Sequence, residues 1–312
     1  MSRATLIYNP VAGRDPARRE VEIRRAVEVL RAAGFNLDVN PTTGPGSARA
    51  LACAAVQAGA EVVIACGGDG TINEVANALA LGSCPLAILP GGTANIAAKD
   101  LGLPHDPVAV ARALNRVCHR RIALGRVSWH GVEPKSRYFL SVAGVGFDAY
   151  VVHSLPWELK AAFGVGAYCW EAIRQAFRHR FPRFVCRNGT GEWRGTMGVF
   201  QRTERYAGWF HMAPGASLLS DQMKLCLFAG RGVWRYALYA GAVALRRHAG
   251  LHDVRIIDSC PVSCLAEDAS QRIYLEIDGE LAGELPATFD LVPDALTLLL
   301  PERPEGGQGE KL

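Results

Sequence analysis

Val62-Val63-Ile64-Ala65-Cys66-Gly67-Gly68-Asp69-Gly70-Thr71-Ile72-Asn73-Glu74-Val75 is the stretch whose reading decides the fold. Val62 to Cys66 are apolar or small and read as a buried strand. Gly67, Gly68 and Gly70 follow with an acid, Asp69, between them, and a helix pattern is expected from Thr71 or Ile72. Strand, glycine loop and helix N-terminus together make an anion site. Glycine lets the backbone approach closely, and the first helical turn carries N–H groups with no intrahelical acceptor. Asp69 alone would repel a phosphate. It makes sense where a divalent metal, or a metal-bound water, lies between the two charges. The local expectation is nucleotide phosphates with Mg²⁺. A purely structural βα turn needs neither the acid nor three glycines together.

The loop lacks the Gly-Lys-Ser/Thr ending of a P-loop, and Asn73 stands where a dinucleotide fingerprint has its third Gly or Ala. Gly144-Val145-Gly146-Phe147-Asp148-Ala149 comes closer to that fingerprint. No acid follows it at the needed distance in a recognisable strand, so it reads as a glycine-rich strand crossing a sheet.

Outward from the loop, residues 1–125 alternate strand and helix signals. Strands are expected at Thr5 to Tyr8, Leu37 to Val39, Val62 to Cys66 and Leu86 to Leu89. Helices are expected at Ala17 to Ala33, Ala48 to Ala58, Ile72 to Leu81 and Pro107 to Val117, the first three ended by Gly34, Gly59 and Gly82. In the first helix Val21, Val27 and Leu30 are expected inside and the arginines outside. Repeated βα units mean a doubly wound, Rossmann-like, mostly parallel sheet, whose ligands lie beyond the C-terminal strand ends. From residue 126 short β-like runs (Tyr138 to Ala143, Phe184 to Cys186, Gly198 to Phe200, Lys224 to Phe228, Val254 to Ile257, Ile273 to Ile277, Thr297 to Leu300) alternate with turn residues. They predict an antiparallel β-sandwich domain over 126–302, with helices near Trp157 to Phe177 and Trp234 to Arg247. Residues 303–312 read as a flexible tail.

The 312-residue chain is long enough for two domains. A net charge of +4, with no basic run carrying interleaved aromatics, argues against nucleic acid. There is no signal-peptide pattern, and the longest apolar stretch, Tyr236 to Leu245, is about half of a spanning helix. The nine cysteines are scattered. Cys53, Cys66, Cys169 and Cys226 lie in apolar runs, and Cys260 and Cys264 have no partners to complete a zinc set. They read as buried free thiols in a reducing cytoplasm.

Two further turns are expected at the same sheet edge: Asn9-Pro10-Val11-Ala12-Gly13 after the first strand and Pro90-Gly91-Gly92-Thr93-Ala94-Asn95 after the fourth. Three such turns at one edge look like a nucleotide cleft. These motifs, with Ala207-Gly208-Trp209-Phe210, Pro214-Gly215-Ala216, Ser220-Asp221 and Ile277-Asp278-Gly279-Glu280, resemble the soluble bacterial diacylglycerol kinases. Those are relatives of sphingosine and ceramide kinases and, more distantly, of NAD kinases and phosphofructokinases.

The resemblance implies a diacylglycerol kinase catalytic-type nucleotide domain over 1–125 and a lipid-substrate domain over 126–302, with the active site between them. It implies ATP held by Asn9, Pro10, Val11, Ala12 and Gly13, by Thr42, by Gly67, Gly68, Asp69, Gly70, Thr71, Ile72 and Asn73, and by Thr93. Either Asp278 or Glu280 would be the catalytic base, with Asp69 orienting the catalytic Mg²⁺. A structural Mg²⁺ in the second domain would be held by the side chain of Asp221 and the carbonyls of Leu218 and Met223. Four positions depart from the family pattern. Ile96 and Ala123 stand where acids of the catalytic metal network are common, and Gln222 and Lys224 replace a usual glycine and a frequent acid.

The expected reaction is ATP-dependent phosphorylation of a membrane lipid hydroxyl, diacylglycerol first, by a cytoplasmic protein peripherally associated with the membrane. Lys160 and Arg14 are candidate phosphate neutralisers. Trp157, Phe163, Tyr168 and Trp170, with Arg174, Arg178, Arg180 and Arg183, are candidates for the membrane contact, against a plain core helix with a solvated basic end. The alternatives are a sphingoid-base or ceramide-type kinase, an NAD-type kinase, and a non-catalytic nucleotide- or lipid-binding protein. A homodimer is left open.

Overall fold

The computed structural model describes residues 2–13, 16–130, 134–156, 165–258 and 261–302. Arg14, Trp157, Lys160, Phe163, Cys260 and the expected tail lie outside them. The chain divides into two compact units. One comprises the residues up to Gly92, Gly102–Arg121 and those from Leu296 onward, and the other Thr93–Leu101 and Ile122–Ala295.

The elements of the N-terminal part are β1 (Ser2–Tyr8), α1 (Pro16–Ala32), β2 (Phe35–Pro41), α2 (Ser47–Gln57), β3 (Val62–Gly67), α3 (Asp69–Leu79), β4 (Leu86–Pro90), α4 (Ile96–Asp100) and α5 (Pro107–Ala113). In the first unit the strands are parallel in the order β2-β1-β3-β4, with Tyr8 opposite Cys66 and Gly67 opposite Pro90. The chain winds to one side from β1 to β2 and to the other through β3 and β4, so the switch point lies between β1 and β3. Strands buried on both faces can read as continuous apolar runs, as β3 and β4 do. α1 and α5 pack on one face over Leu6, Ile64, Cys66 and Leu89, and α2 packs with α3.

Two local expectations change. α3 starts at Asp69, not Thr71 or Ile72, because Gly68 takes an extended N-cap conformation and Ile72 N–H already donates to Gly68 O at 3.1 Å. On α1 the inward face is Ile23, Ala26, Val27 and Leu30, with Arg19 buried beside it, whereas Val21 is exposed.

The second unit is built on β5 (Val117–His130), β6 (Pro134–Phe139), β7 (Val142–Gly146), α6 (Phe147–Ser154), α7 (Val165–Ala176), β8 (Phe184–Asn188), β9 (Gly191–Gly195), β10 (Met197–Gln201), β11 (Arg205–Tyr206), β12 (Phe210–His211), β13 (Lys224–Phe228), α8 (Val233–Ala244), β14 (Val254–Asp258), β15 (Val262–Ala266), β16 (Tyr274–Ile277), β17 (Glu280–Glu284) and β18 (Ala287–Pro301). The first five residues of β5 and the end of β18 belong to the first unit. One antiparallel sheet runs β14-β13-β10-β7-β16-β17, and a second carries β18-β15-β8-β9. Their facing residues form one apolar cluster, in which Phe200 and Phe289 stack at 3.7 Å between centroids. Two sheets packed face to face over such a core are a β-sandwich.

The Gly144–Ala149 motif is the strand β7 running into α6, central in its sheet. Tyr138 to Ala143 is not one strand, because residues 140 and 141 separate β6 from β7. Among the described cysteines, Cys66, Cys186, Cys226 and Cys264 are buried thiols, but Cys53 and Cys118 are exposed. No helix among the described residues is long and apolar enough to cross a membrane.

Candidate active site

Three glycine-containing turns follow β1, β3 and β4 at the C-terminal edge of the parallel sheet, the first two flanking its switch point. Open α/β sheets bind ligands at such places. In the first turn Asn9 Oδ1 accepts Val11 N–H at 3.0 Å, and Asn9 N–H donates to Cys66 O at 2.9 Å. In the third turn Gly91 N–H donates to Gly67 O at 2.9 Å. A Cβ at Gly91 would lie 2.9 Å from Gly67 N, and one at Gly67 would lie 2.7 Å from the Thr71 Cβ. These glycines are required because backbone and side chains already fill the space a methyl group would take.

Arg19 ties these turns together. Its Nε donates to Ala12 O at 3.3 Å and its Nη2 to Gly91 O, and Nη1 pairs with Glu22 at 3.1 Å. The sequence reading placed it with the solvent-facing arginines. The available signal was its spacing, four residues before Ile23 and eight before Val27, on the inward stripe.

Asp69 is the first residue of α3 and half-buried, with the first-turn N–H donors of Gly70 and Thr71 beside it. Asn73 is buried, its Oδ1 accepting from Asn77 Nδ2 at 3.1 Å, while its own Nδ2 has no partner among the described residues. Glu74 crosses to α2 and accepts the N–H groups of Gly46 (2.7 Å), Ala48 (3.0 Å) and Arg49 (3.3 Å). It therefore caps the helix that follows Thr42, whose own N–H donates to Tyr8 O at 2.8 Å. Close glycine turns and a helix N-terminus fit a polyphosphate. One carboxylate completed by waters and phosphate oxygens fits Mg²⁺, which seldom uses an all-protein cage. Among the described residues no group of three or more His, Cys, Asp or Glu could hold a metal.

Thr93 lies in the second unit, at the head of the segment that leads into α4. There the turn at Gly208 packs on Ala94, where a Cβ at Gly208 would lie 3.2 Å from the Ala94 Cβ. Ile96 is buried at the start of α4, which explains an apolar residue at that position.

The turn between β16 and β17 separates the two candidate bases. Asp278, at φ +47°, accepts the N–H groups of Leu140 (3.0 Å), Ser141 (3.1 Å) and Val142 (2.9 Å), so its carboxylate is committed to the backbone between β6 and β7. Glu280 is half-buried and bound through Oε2 to Arg137 at 2.6 Å, with no bond at Oε1 among the described residues. Between them, Gly279 N–H donates to Glu276 at 2.7 Å.

Glu276 and Asp148 are both buried, and their carboxylates lie together beside Gly144. Burial pushes both carboxyls upward, Glu276 well above its ordinary range, where the charge of Asp148 adds to the burial. The hydroxyls of Tyr168 (2.5 Å) and Tyr206 donate to Asp148 Oδ1. Tyr168 is thus turned inward, and its place among the membrane-contact candidates is corrected.

The expected second-domain metal ligands do not fit a cation. The fully buried guanidinium of Arg202 donates to Ser220 O (2.5 Å), Gln222 O (2.6 Å), Leu218 O (3.1 Å) and Ala123 O (3.0 Å). Asp100, which accepts Leu218 N–H at 2.8 Å, faces its charge. Asp221 is exposed and Met223 buried in the sandwich core. A metal ion on Leu218 O would lie against an immobile positive charge.

Residues 3–127 match the family model of the diacylglycerol kinase catalytic domain. That stretch resembles a diacylglycerol kinase catalytic domain. Over 295 residues the chain is 28% identical to the diacylglycerol kinase of Bacillus subtilis (strain 168), covering 93% of each. A stretch of 149 residues is 40% identical to a YegS-like probable lipid kinase of Pseudomonas aeruginosa (strain PAO1), covering 47% of each. A crystal structure of a diacylglycerol kinase from Bacillus anthracis str. Sterne has the same fold, with a TM-score of 0.71 over 97% of each chain at 18% identity. The family recognised from the motifs is therefore the family returned by comparison, and these similarities support an ATP-dependent lipid kinase.

Proposed function

We propose that this protein transfers the γ-phosphoryl group of ATP to the hydroxyl of a membrane lipid, with diacylglycerol as the first acceptor and phosphatidic acid as the product. Two observations support this reading: in the first unit a glycine-turn cradle suited to a polyphosphate, Asn9 to Gly13 with Gly67 to Thr71, and in the second a carboxylate on the β16–β17 turn, Glu280, held by Arg137 and with no bond at Oε1 among the described residues. In this reading residues 1–125 serve the nucleotide and 126–302 the lipid.

Phosphoryl transfer asks mainly for positioning and charge neutralisation. The first-turn N–H groups of α3 and the turns at Asn9 and Gly91 hold the phosphates, with Thr42 and Thr93 as further contacts. Asp69 would hold Mg²⁺, which when bound would neutralise charge on the phosphate oxygens. The lipid hydroxyl oxygen attacks the γ-phosphorus in line, its proton passes to Glu280 Oε1, and the bond to the β-phosphate oxygen breaks to release ADP. In this reading Asp278, whose oxygens accept three backbone N–H groups, sets the turn that aims Glu280 and leaves the base role to Glu280. The acceptor lies in a bilayer, so the protein works at a membrane surface.

The test is label transfer from γ-labelled ATP with Mg²⁺ to diacylglycerol, ceramide, a sphingoid base and NAD in mixed micelles, with Glu280→Gln and Asp69→Asn alongside. Label in phosphatidic acid, lost in both variants, supports the proposal. Label in a sphingolipid or NAD reassigns the acceptor, and no label with intact ATP binding overturns the kinase reading.

A further inference from the structure

Helix α7 exposes large apolar side chains although its inner face is already filled. It buries Ala167, Glu171, Gln175 and Ala176 on that face, with Tyr168 and Ala172 packed on the apolar cluster beneath. Its outward stripe is Gly166, Trp170, Ile173 and Arg174, continued past the helix end by Phe177 and Arg178 at the same spacing. Trp170 is 66% exposed and Phe177 68%. Helix α8 buries Tyr236, Tyr239, Ala242 and Val243. It turns outward Trp234, which is 82% exposed, then Ala237, Leu238, Ala240, Gly241, Ala244 and finally Leu245, with no polar side chain among them.

The two faces adjoin. α7 and α8 pack together, and Arg231 Nη2, just before α8, donates to Arg180 O, just after α7, at 3.1 Å. A solvated helix normally presents charge outward, and adjoining exposed apolar faces mark an interaction surface.

Among the described residues, the unpaired exposed charges next to the two helices are positive: Arg178, Arg180, Arg231, Arg246 and Arg247 are exposed, Arg174 pairs with the buried Glu171, the acid against α8, Asp253, is paired with Arg235, and neither helix exposes an Asp or Glu. A second copy docking through the same patch would set arginine against arginine, whereas anionic headgroups over an apolar interior match both the ring and the centre. We infer that the outward faces of α7 and α8 form one docking surface for an anionic lipid bilayer. The choice of a bilayer rests in part on the lipid-kinase reading, which places the acceptor there.

The experiment is co-sedimentation of the full chain with phosphatidylcholine vesicles, with and without phosphatidylglycerol. It compares wild type with Trp234→Glu/Leu238→Glu, Trp170→Ser/Phe177→Ser and Arg246→Glu/Arg247→Glu, after circular dichroism shows that each is folded. The expected result is binding to the anionic vesicles that falls about tenfold or more in each pair. Phosphorylation of a bilayer-embedded acceptor should fall with it, and that of a detergent-dispersed one should stay unchanged. Binding that all three folded variants retain overturns the inference. So does a wild-type dimer in light scattering that Trp234→Glu/Leu238→Glu converts to monomer, which would make the face a contact between copies. Vesicle binding through this face by a wild type that phosphorylates no lipid would uphold the surface and remove the kinase.

Discussion

Glu276 accepts the backbone N–H of Gly279 at 2.7 Å, so a buried acid lying beside Asp148 is hydrogen-bonded to the turn that carries Glu280. In the unfolded chain these carboxyls titrate near ~4. In the fold, burial lets Asp148 and Glu276 keep a proton to higher pH. In that interval the folded chain binds more protons than the unfolded chain, so stability falls as pH rises. Glu276→Gln is expected to flatten this fall, read as Tm against pH. Glu276→Ala also leaves Gly279 N–H unbonded and should lower kcat more than the KM for ATP.

Asp278 and Glu280 should separate cleanly in a pair of variants. Asp278→Ala removes the acceptor of three backbone N–H groups at a left-handed position and is expected to lower stability by about 3 kcal/mol or more. Glu280→Gln should fold with a Tm near wild type and lose about 10²–10⁴ in kcat. Urea denaturation beside steady-state kinetics checks both, and a Glu280→Gln enzyme of normal rate would remove this residue from the chemistry.

Arg202 makes the 217–223 loop independent of metal. Chelation of divalent ions is expected to stop phosphoryl transfer yet leave Tm unchanged. Arg202→Met strips the donor from four carbonyls and should cost about 3–5 kcal/mol. Differential scanning calorimetry with and without chelator decides the point; a large fall in Tm on chelation would return a metal to this loop.

Gly91→Ala places a methyl group 2.9 Å from Gly67 N and should push the second and third nucleotide turns apart. ATP affinity is expected to fall about tenfold or more, because a shift of about 1 Å at a positioning element has effects of that size or larger. Isothermal titration with ATP and Mg²⁺ gives the number. Asp69→Asn should instead raise the Mg²⁺ concentration needed for half-maximal rate while leaving the fold intact.

The parallel sheet and its turns were legible in the sequence because glycine spacing and apolar runs are local signals. Val62 to Val75 and Lys224 to Phe228 show this, each strand being found within a residue of its bounds. What escaped was non-local. Arg202 and Glu276 look like surface charges until the carbonyls of residues 123 and 218–222, or Asp148 in the first turn of α6, are brought beside them. The long β5 escaped because Val117–His130 opens on exposed, basic residues with no steady alternation. Asp278 and Glu280 remained tied in the sequence because only their hydrogen-bond partners distinguish them.

Gly144 sits where a Cβ would come within 2.0 Å of Asp148 Oδ2 and 2.8 Å of Glu276 Oε1. A side chain can enter at position 144 only after the acids beside it have shortened, and the acids can shorten only by opening a void under a tyrosine pair. These three positions are therefore locked in history as well as in space. Substitutions among them are expected to be tolerated in particular orders and combinations, so a tally of single changes would underestimate how far this corner of the protein can drift.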